Sequence, residues 1–303
     1  MRIVVVGPGA IGCLFSASLA ESGQDVFLLD KDPARARLIS RKGIRIDKGK
    51  RSRQVRVRAV SDPAGEEPAD VVLLCVKSYD TARAMRHARR LIGPRTCVCS
   101  FQNGLGNAEQ IARVVPRGRI VCAATAHGST HVAPGHVRHA GSGVTTLAPY
   151  SRKAFSYAQD LAGILAQAGL DVELTDDPAG MIWSKLIINA AINPVTAVAG
   201  VRNGVILERL DLRDLSCRAA REAEQVAKAL GITLLYTDAV AETETVCRRT
   251  RDNFSSMLQD VRRGKRTEID AISGAIVARA RRLGVPVPVN ARLLREVKRA
   301  ECR

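Results

Sequence analysis

One short segment near the start of the chain constrains the fold more than any other. Arg2–Val6 is a run of β-branched residues that predicts a buried strand, and Ala10–Glu21 predicts a closely packed helix. The turn between them has the pattern G-x-G-x-x-G, formed by Gly7, Pro8, Gly9, Ala10, Ile11 and Gly12. Such a turn lets backbone N–H groups approach a pyrophosphate at the start of the helix. A purely structural corner is the alternative, but the flanking strand and helix favour a dinucleotide site.

The rest of the first half continues this alternation of strands and helices. Further strands are predicted at Val26–Leu29, Val71–Val76, Cys97–Ser100 and Arg119–Ala124. Strands that alternate with helices indicate a Rossmann-type, doubly wound parallel sheet. Val55–Val60 alternates apolar and basic residues, which predicts an edge strand.

The pattern changes towards the middle of the chain. His136–His139 and Val144–Leu147, separated by a glycine-rich segment, predict a β-hairpin. After Asp177 and Pro178 the sequence becomes helical almost to its end. We therefore expect an α/β dinucleotide-binding domain at residues 1–176 and an all-helical substrate-binding and catalytic domain at residues 177–303.

Charge and aromatic content narrow the range of partners. The formal net charge is +17, from 47 Lys and Arg against 30 Asp and Glu, and aromatic residues make up 3%. A basic chain can bind nucleic acid or a membrane surface, or it can attract an anionic cofactor and a carboxylate substrate. The basic residues are spread along the whole chain, and few aromatic rings are available to stack on bases. We expect a small-molecule partner, with neither nucleic acid nor membrane; an Arg-rich solvated surface is the alternative explanation of the charge.

The cysteines and the N-terminus indicate the compartment. Eight cysteines are present without any C-x-x-C pair, and several lie in apolar runs such as Val71–Val76. This pattern is typical of reduced, buried thiols rather than of disulfides or a zinc site, so no metal is expected. Met1 leads directly into the first strand, without the segments of a signal peptide. The sequence therefore predicts a cytoplasmic protein.

Residues near the second strand bear on the cofactor. Asp30 follows that strand, where an acidic side chain accepts hydrogen bonds from the ribose 2′-hydroxyl and favours NAD over NADP. Lys31, Arg35 and Arg37 are close by and could hold a 2′-phosphate instead. Both coenzymes therefore stay open.

Polar residues of the predicted helical domain form a stripe. Lys185, Asn189 and Asn193 are spaced four residues apart, so they project from one face of a helix. The residues between them are mostly apolar, and buried polar groups without partners are costly. A solvent-facing helix side is one explanation, but such faces usually carry charges, so a functional site is favoured.

Several separated motifs, taken together, resemble the ketopantoate reductase (2-dehydropantoate 2-reductase) family nearly from end to end. Besides the glycine turn, the resemblance rests on Cys75–Lys77, Gln102–Gly106, Lys185–Pro194, Ser256–Asp260 with Glu268, and Pro286–Asn290. The resemblance implies reduction of 2-dehydropantoate to pantoate in pantothenate biosynthesis, with a hydride delivered to the 2-keto carbon.

The resemblance also implies roles for individual residues. Lys185 corresponds to the proton donor of the family. Substrate-binding residues correspond to Asn103, Asn189, Asn193, Asn203 and Ser256. Contacts with the cofactor correspond to Lys77, Asn103, Ser129 and Glu268, in addition to the glycine turn, Asp30 and Lys31. Members of the family often have Arg after the second strand to bind NADPH, whereas Asp30–Lys31 stands there in this chain. NADP(H) is implied by the resemblance, and Asp30 leaves NAD(H) open.

Other functions remain as alternatives. A related 2-keto or 3-hydroxy acid dehydrogenase also joins a nucleotide domain to a helical domain and uses a lysine. A non-catalytic dinucleotide sensor would not need the set of Lys, Asn and Ser residues described above. A homodimer and a monomer are both compatible with the sequence.

Overall fold

The computed structural model describes residues 1–301, and the chain divides into two compact units. The first unit comprises Met1–Gln102 and Gly106–Pro178; the second comprises Asn103–Leu105 and the residues from Ala179 onward.

Strands are confined to the first unit within the described range. In chain order they are β1 (Arg2–Val6), β2 (Asp25–Leu29), β3 (Ile44–Lys48), β4 (Arg51–Val55), β5 (Arg58–Val60), β6 (Ala69–Leu74), β7 (Ile92–Ser100), β8 (Ile120–Thr125), β9 (Gly128–Ala133), β10 (His136–Gly141), β11 (Thr145–Pro149) and β12 (Val172–Leu174). The helices of this unit are α1 (Ala10–Glu21), α2 (Pro33–Lys42), α3 (Thr81–His87), α4 (Asn107–Ile111) and α5 (Phe155–Gln167).

These strands form two sheets. The main sheet has the order β12-β11-β8-β7-β6-β1-β2-β5, and the strands from β8 to β5 are parallel. β11 runs antiparallel to β8, and β12 pairs in parallel with β11. The small sheet has the order β4-β3-β10-β9. The apolar strands β1 and β6 lie at the centre of the main sheet, where both faces are covered.

The second unit is helical. Its helices are α6 (Pro178–Ala199), α7 (Val205–Glu208), α8 (Leu210–Ala229), α9 (Ala239–Arg249), α10 (Ser256–Val261), α11 (Ser273–Leu283) and α12 (Pro288–Glu301). Trp183, Leu186 and Ile187 of α6 are buried in a core shared with α8 and α11. The predicted Rossmann-type, mostly parallel sheet followed by an all-helical region is confirmed.

One strand prediction was right only in part, and a second was wrong. The expected strand Val55–Val60 is interrupted, because β4 belongs to the small sheet whereas β5 forms the edge of the main sheet. The expected hairpin is not formed, because β10 pairs with β9 and β3 while β11 pairs with β8. Gly143 allows this separation: a Cβ atom there would lie 2.7 Å from the carbonyl oxygen of Ala126, so only glycine lets the chain pass so close.

The described cysteines have no disulfide partner. Burial raises the pKa of the Cys13, Cys97 and Cys122 thiols to about 12. These thiols are therefore protonated and unreactive near neutral pH. Cys302 lies outside the described residues.

α6 is the one helix of residues 1–301 that is long and apolar enough to cross a membrane. Of its most apolar window, 72% is buried, as in the core helix of a soluble protein, so the helix is weak evidence for a membrane span.

Candidate active site

The glycine turn of the first unit has the geometry that a dinucleotide phosphate requires. Gly7 has a φ of 100°, and a Cβ atom on it would lie 2.7 Å from Cγ1 of Val76. A Cβ atom on Gly12 would lie 2.1 Å from the carbonyl oxygen of Gly7, so α1 packs this closely only with glycine. At Gly9 the nearest atom, the carbonyl oxygen of Cys75, would be 3.8 Å away. No side chain caps the first turn of α1, so its N–H groups remain available to an anion and the turn fits a pyrophosphate.

Asp30 lies directly after β2 and is 1% exposed. Its carboxylate accepts two hydrogen bonds from Arg35, from Nε to Oδ2 at 2.5 Å and from Nη2 to Oδ1 at 2.5 Å. The backbone N–H of Asp32 donates to Oδ1 at 3.1 Å. Asp30 and Arg35 thus form a bidentate, charge-neutral pair at the position where the ribose is expected. Lys31 lies apart from this pair, with Nζ 3.6 Å from Oδ2 of Asp80.

Other residues assigned to the cofactor lie near the carboxyl ends of the parallel strands. Oγ of Ser129, on β9, donates to the carbonyl oxygen of Ala10 at 3.1 Å, which places Ser129 at the first turn of α1. Lys77 follows β6, and its carbonyl oxygen accepts a hydrogen bond from Nε2 of Gln102 at 3.4 Å. Nε2 of Gln102 also donates to Oγ1 of Thr81 at 2.7 Å, so the segments that follow β6 and β7 are joined.

The polar stripe of the second unit lies on α6. Lys185 and Asn189 are half-buried and Asn193 is buried, while the neighbouring Leu186 and Ile187 are fully buried. Burial lowers the pKa of Lys185 to about 8, and the negative charge of Glu268 partly opposes this effect. An ammonium group with this pKa can donate a proton near neutral pH far more readily than a solvated lysine.

Asn103 connects α6 to Glu268. Nδ2 of Asn189 donates to Oδ1 of Asn103 at 3.4 Å, and Nδ2 of Asn103 donates to Oε2 of Glu268 at 3.4 Å. Both hydrogen bonds are long, so they orient the groups more than they stabilise the fold. The buried carboxylate of Glu268 also acts electrostatically on Lys185. Four of the predicted site residues therefore lie together in the second unit.

Backbone packing holds Asn103 in this unit. The N–H of Leu105 donates to the carbonyl oxygen of Ala271 at 2.9 Å. Gly104 has a φ of 84°, and a Cβ atom on it would lie 2.5 Å from the same carbonyl oxygen. Glycine at this position therefore lets the segment reach the loop that follows Glu268.

Two more predicted substrate residues have local partners. Nδ2 of Asn203 donates to Oγ1 of Thr250 at 2.9 Å, while its buried Oδ1 has no hydrogen-bond partner within residues 1–301. Ser256 is exposed and is the first residue of α10.

Sequence reasoning missed the role of Ser255. Its Oγ caps α10 by accepting from the N–H of Leu258 at 3.1 Å, and it accepts from Oγ1 of Thr196 on α6 at 2.7 Å. Serine is a common N-cap residue, and its presence at position 255 was the available signal. The pairing of Arg35 with Asp30 was also missed, although both residues were considered separately.

Comparison with known proteins agrees with this geometry. Residues 3–152 match the family model described as ketopantoate reductase PanE/ApbA, and residues 177–301 match the model of its C-terminal part. The chain is 36% identical to a 2-dehydropantoate 2-reductase of Halobacterium salinarum, over 95% of each chain. It is 34% identical to the enzyme of that name from Pyrococcus abyssi, over 96% of this chain and 94% of the relative.

Solved structures show the same similarity. A PanE/ApbA family ketopantoate reductase from Ralstonia eutropha superposes with a TM-score of 0.89 at 34% identity, over 100% of this chain and 99% of the other. A D-mandelate dehydrogenase in complex with NADH and anilino(oxo)acetate gives a TM-score of 0.94 at 25% identity, over 100% of this chain and 98% of the other.

The Rossmann-type sheet with its glycine turn, and the helical unit with its half-buried lysine, define the class of pyridine-nucleotide-dependent oxidoreductases. Within that class, the chain belongs to the ketopantoate reductase family.

Proposed function

We propose that this protein reduces 2-dehydropantoate to pantoate, a cytoplasmic step of pantothenate biosynthesis, with Lys185 as the proton donor. The observation that carries the proposal is the environment of Lys185. This lysine lies in an apolar helix, burial lowers its pKa to about 8, and the charge of Glu268 keeps it from falling further. The first unit would then be the dinucleotide-binding domain and the second the catalytic domain.

The reaction needs a hydride and a proton. A reduced nicotinamide supplies the hydride to the 2-keto carbon when it is bound. Lys185 stabilises the negative charge that develops on the keto oxygen and then donates a proton to it from Nζ. With a pKa of about 8, Lys185 is roughly nine-tenths protonated at pH 7. A positioned cation in a site of low water content stabilises a developing alkoxide much more than a solvated cation does.

The amides and the hydroxyl position the substrate. Asn189 and Asn193 lie on the same face of α6 as Lys185, so their donors suit the carboxylate or hydroxyl of a keto acid. Asn203 and Ser256 complete the substrate set, and the unpartnered Oδ1 of Asn203 is suited to accept a hydrogen bond from a substrate hydroxyl. Asn103 orients Glu268 and Asn189, and the family resemblance assigns it to both coenzyme and substrate.

Coenzyme binding uses the glycine turn, Lys77, Ser129 and the residues after β2, and the family resemblance also assigns Glu268 to the coenzyme. We propose that NADH is preferred to NADPH. An ionised carboxylate has about four acceptor positions, and three of those on Asp30 are used by Arg35 and Asp32, which leaves one for a ribose hydroxyl. A 2′-phosphate would instead draw Arg35 away and leave a buried carboxylate uncompensated, which is costly.

The test is steady-state reduction of 2-dehydropantoate by the full chain, with NADH and NADPH in parallel. We expect turnover with both coenzymes and a higher kcat/KM with NADH. Lys185→Ala is compared with Lys228→Ala, which removes an exposed lysine of α8. Coenzyme binding without turnover of any keto acid would contradict the proposal and favour a dinucleotide sensor.

A second candidate is reduction of a different 2-keto acid. The D-mandelate dehydrogenase superposes with a TM-score of 0.94, which is higher than that of the Ralstonia eutropha ketopantoate reductase at 0.89. The same assay with an aromatic 2-keto acid in place of 2-dehydropantoate distinguishes the two. A higher kcat/KM with the aromatic substrate would favour this second function. That reaction would still require Lys185 as the proton donor.

A further inference from the structure

A cavity of about 900 Å³ lies within the first unit, against the later turns of α1. The other walls come from the turn between β3 and β4, the segments that carry His127 and His139, and the loop that follows α5. None of the residues assigned above to coenzyme or substrate lines it. The glycine turn lies at the first turn of α1, whereas Ser18 and Glu21 line the cavity further along the helix.

The floor of the cavity is apolar. Leu14 of α1, Ile46 of β3 and Leu170 in the loop after α5 line it, and each is less than a tenth exposed. A concave site of this volume with an apolar floor is of the size that binds a small organic molecule.

The rim of the cavity is basic. Lys48, Arg51 and Arg53 line it. Arg53 is paired with Glu21, with Nη2 to Oε2 at 3.1 Å. Lys48 and Arg51 have no carboxylate partner among residues 1–301, and Nζ of Lys48 contacts only a hydroxyl, Oγ of Ser142, at 3.3 Å. Two cations of the rim are therefore available to an anion.

A pair of histidines adds an unsatisfied polar atom. Nδ1 of His127 and Nε2 of His139 lie 3.2 Å apart and share a hydrogen bond. Nε2 of His127 is buried without a hydrogen-bond partner within the described residues. Because that nitrogen has almost no exposed surface, the cavity offers an anion its basic rim rather than Nε2 of His127. Two carboxylates line the cavity, Glu21 and Asp171, and Glu21 is paired with Arg53.

We propose that this cavity binds a small organic anion, with its apolar body on Leu14, Ile46 and Leu170 and its charged group at Lys48 and Arg51. The site is separate from the one proposed for the reductase reaction, so either proposal can fail without the other. Suitable ligands have one anionic group, which is a carboxylate, a sulfonate or a phosphate monoester, attached to a compact apolar group.

The probe for the test is 8-anilinonaphthalene-1-sulfonate, an anion with an aromatic body whose fluorescence rises on binding. It is titrated into the full chain with saturating NAD⁺, which occupies the dinucleotide site. We expect saturable binding of one probe per chain that NAD⁺ does not displace. Complete loss of binding in NAD⁺ would overturn the proposal, because the probe would then report the dinucleotide site alone.

Charge-neutralising variants test the rim. Lys48→Gln with Arg51→Gln should weaken probe binding roughly tenfold, the loss expected for two partly solvated ionic contacts. The matched control is Arg56→Gln with Arg138→Gln, which removes two exposed arginines that do not line the cavity. Equal affinity of the two double variants would contradict the proposal. Both should retain wild-type reductase activity.

Competition identifies the charged group. Phenyl phosphate and phenylacetate carry different anionic groups on one ring, and benzyl alcohol is the neutral analogue. Displacement of the probe by either anion at concentrations where the alcohol has no effect supports the proposal and selects between phosphate and carboxylate. Equal displacement by the alcohol would show a merely apolar cavity.

A blocking variant is an independent test. Ala168→Trp at the cavity lining should abolish binding, and unchanged binding would place the probe elsewhere.

Discussion

Replacing Glu268 with Gln should move the pH dependence of the reaction to lower pH. Burial lowers the pKa of Lys185, and the negative charge of Glu268 raises it, with a net value of about 8. Gln removes the charge and keeps an oxygen that can accept the hydrogen bond from Nδ2 of Asn103. Burial then acts on Lys185 without opposition, so its pKa must fall.

The size of the shift follows from Coulomb's law. If the two charges are taken to be about 6 Å apart, they interact by about 2.8 kcal/mol at an effective dielectric constant of about 20, which corresponds to about 2 pKa units. The pKa of Lys185 would then fall from about 8 to roughly 6. At pH 7 the protonated fraction would drop from roughly nine-tenths to roughly one-tenth, while at pH 5 the variant and the wild type would differ little.

The assay is kcat/KM for keto-acid reduction as a function of pH, which reports the groups of the free enzyme. Reduction needs protonated Lys185, so the rate falls as pH rises through its pKa. Glu208→Gln is the control, because it removes one exposed carboxylate of the same unit, paired with Arg251. Thermal unfolding checks that both variants are folded.

Two results would refute this reasoning. If kcat/KM fell at the same pH in Glu268→Gln as in the wild type, Glu268 would not control the charge of Lys185. A rise in coenzyme KM by the same factor at every pH would mean that Glu268 acts only by contacting the coenzyme.

Three further predictions concern the coenzyme site and α10. Asp30→Asn should lower the kcat/KM ratio of NADH to NADPH by about tenfold or more, as expected for a charge-assisted hydrogen bond; an unchanged ratio in parallel assays would show that Asp30 does not bind the ribose. Gly12→Ala should lower the free energy of unfolding by about 1–3 kcal/mol, because its Cβ atom would lie 2.1 Å from a backbone oxygen. Gly9→Ala should leave unfolding nearly unchanged and weaken coenzyme binding; equal thermal stability of these two glycine variants would contradict the packing argument. Ser255→Ala should lower the free energy of unfolding by about 1 kcal/mol, because the cap of α10 is lost. Ser256→Ala should lower kcat/KM alone. The opposite result in denaturation and kinetic measurements would mean that the two serines have each other's role.

Local features of the sequence were sufficient to predict the main architecture. The glycine turn could be predicted because its pattern lies within Arg2–Glu21, although the structure shows a clash relieved only at Gly7, against Val76, and at Gly12, against its own turn. The stripe on α6 could be predicted because helical periodicity fixes which residues share a face.

Pairings between distant segments could not be predicted in the same way. β3 pairs with β10, which lies about ninety residues further along the chain, and no local pattern specifies that partner. The assumption that β10 and β11 form a hairpin followed from their closeness in sequence, whereas the passage of Gly143 beside Ala126 sends them to different sheets.

The same limit applies to the candidate site. Lys185 was identified from its apolar surroundings, but its lowered pKa depends on burial and on Glu268, which is more than eighty residues away in sequence. The pairing of Asp30 with Arg35 depends on side-chain rotamers, which residue spacing alone does not specify.

The most direct test of the central claim is single-turnover reduction of the keto acid by Lys185→Ala pre-loaded with NADH. If Lys185 donates the proton, hydride transfer should slow by roughly 10²–10⁴-fold, while NADH affinity stays within about twofold of the wild type. Hydride transfer at a near-normal rate in this variant would contradict the account.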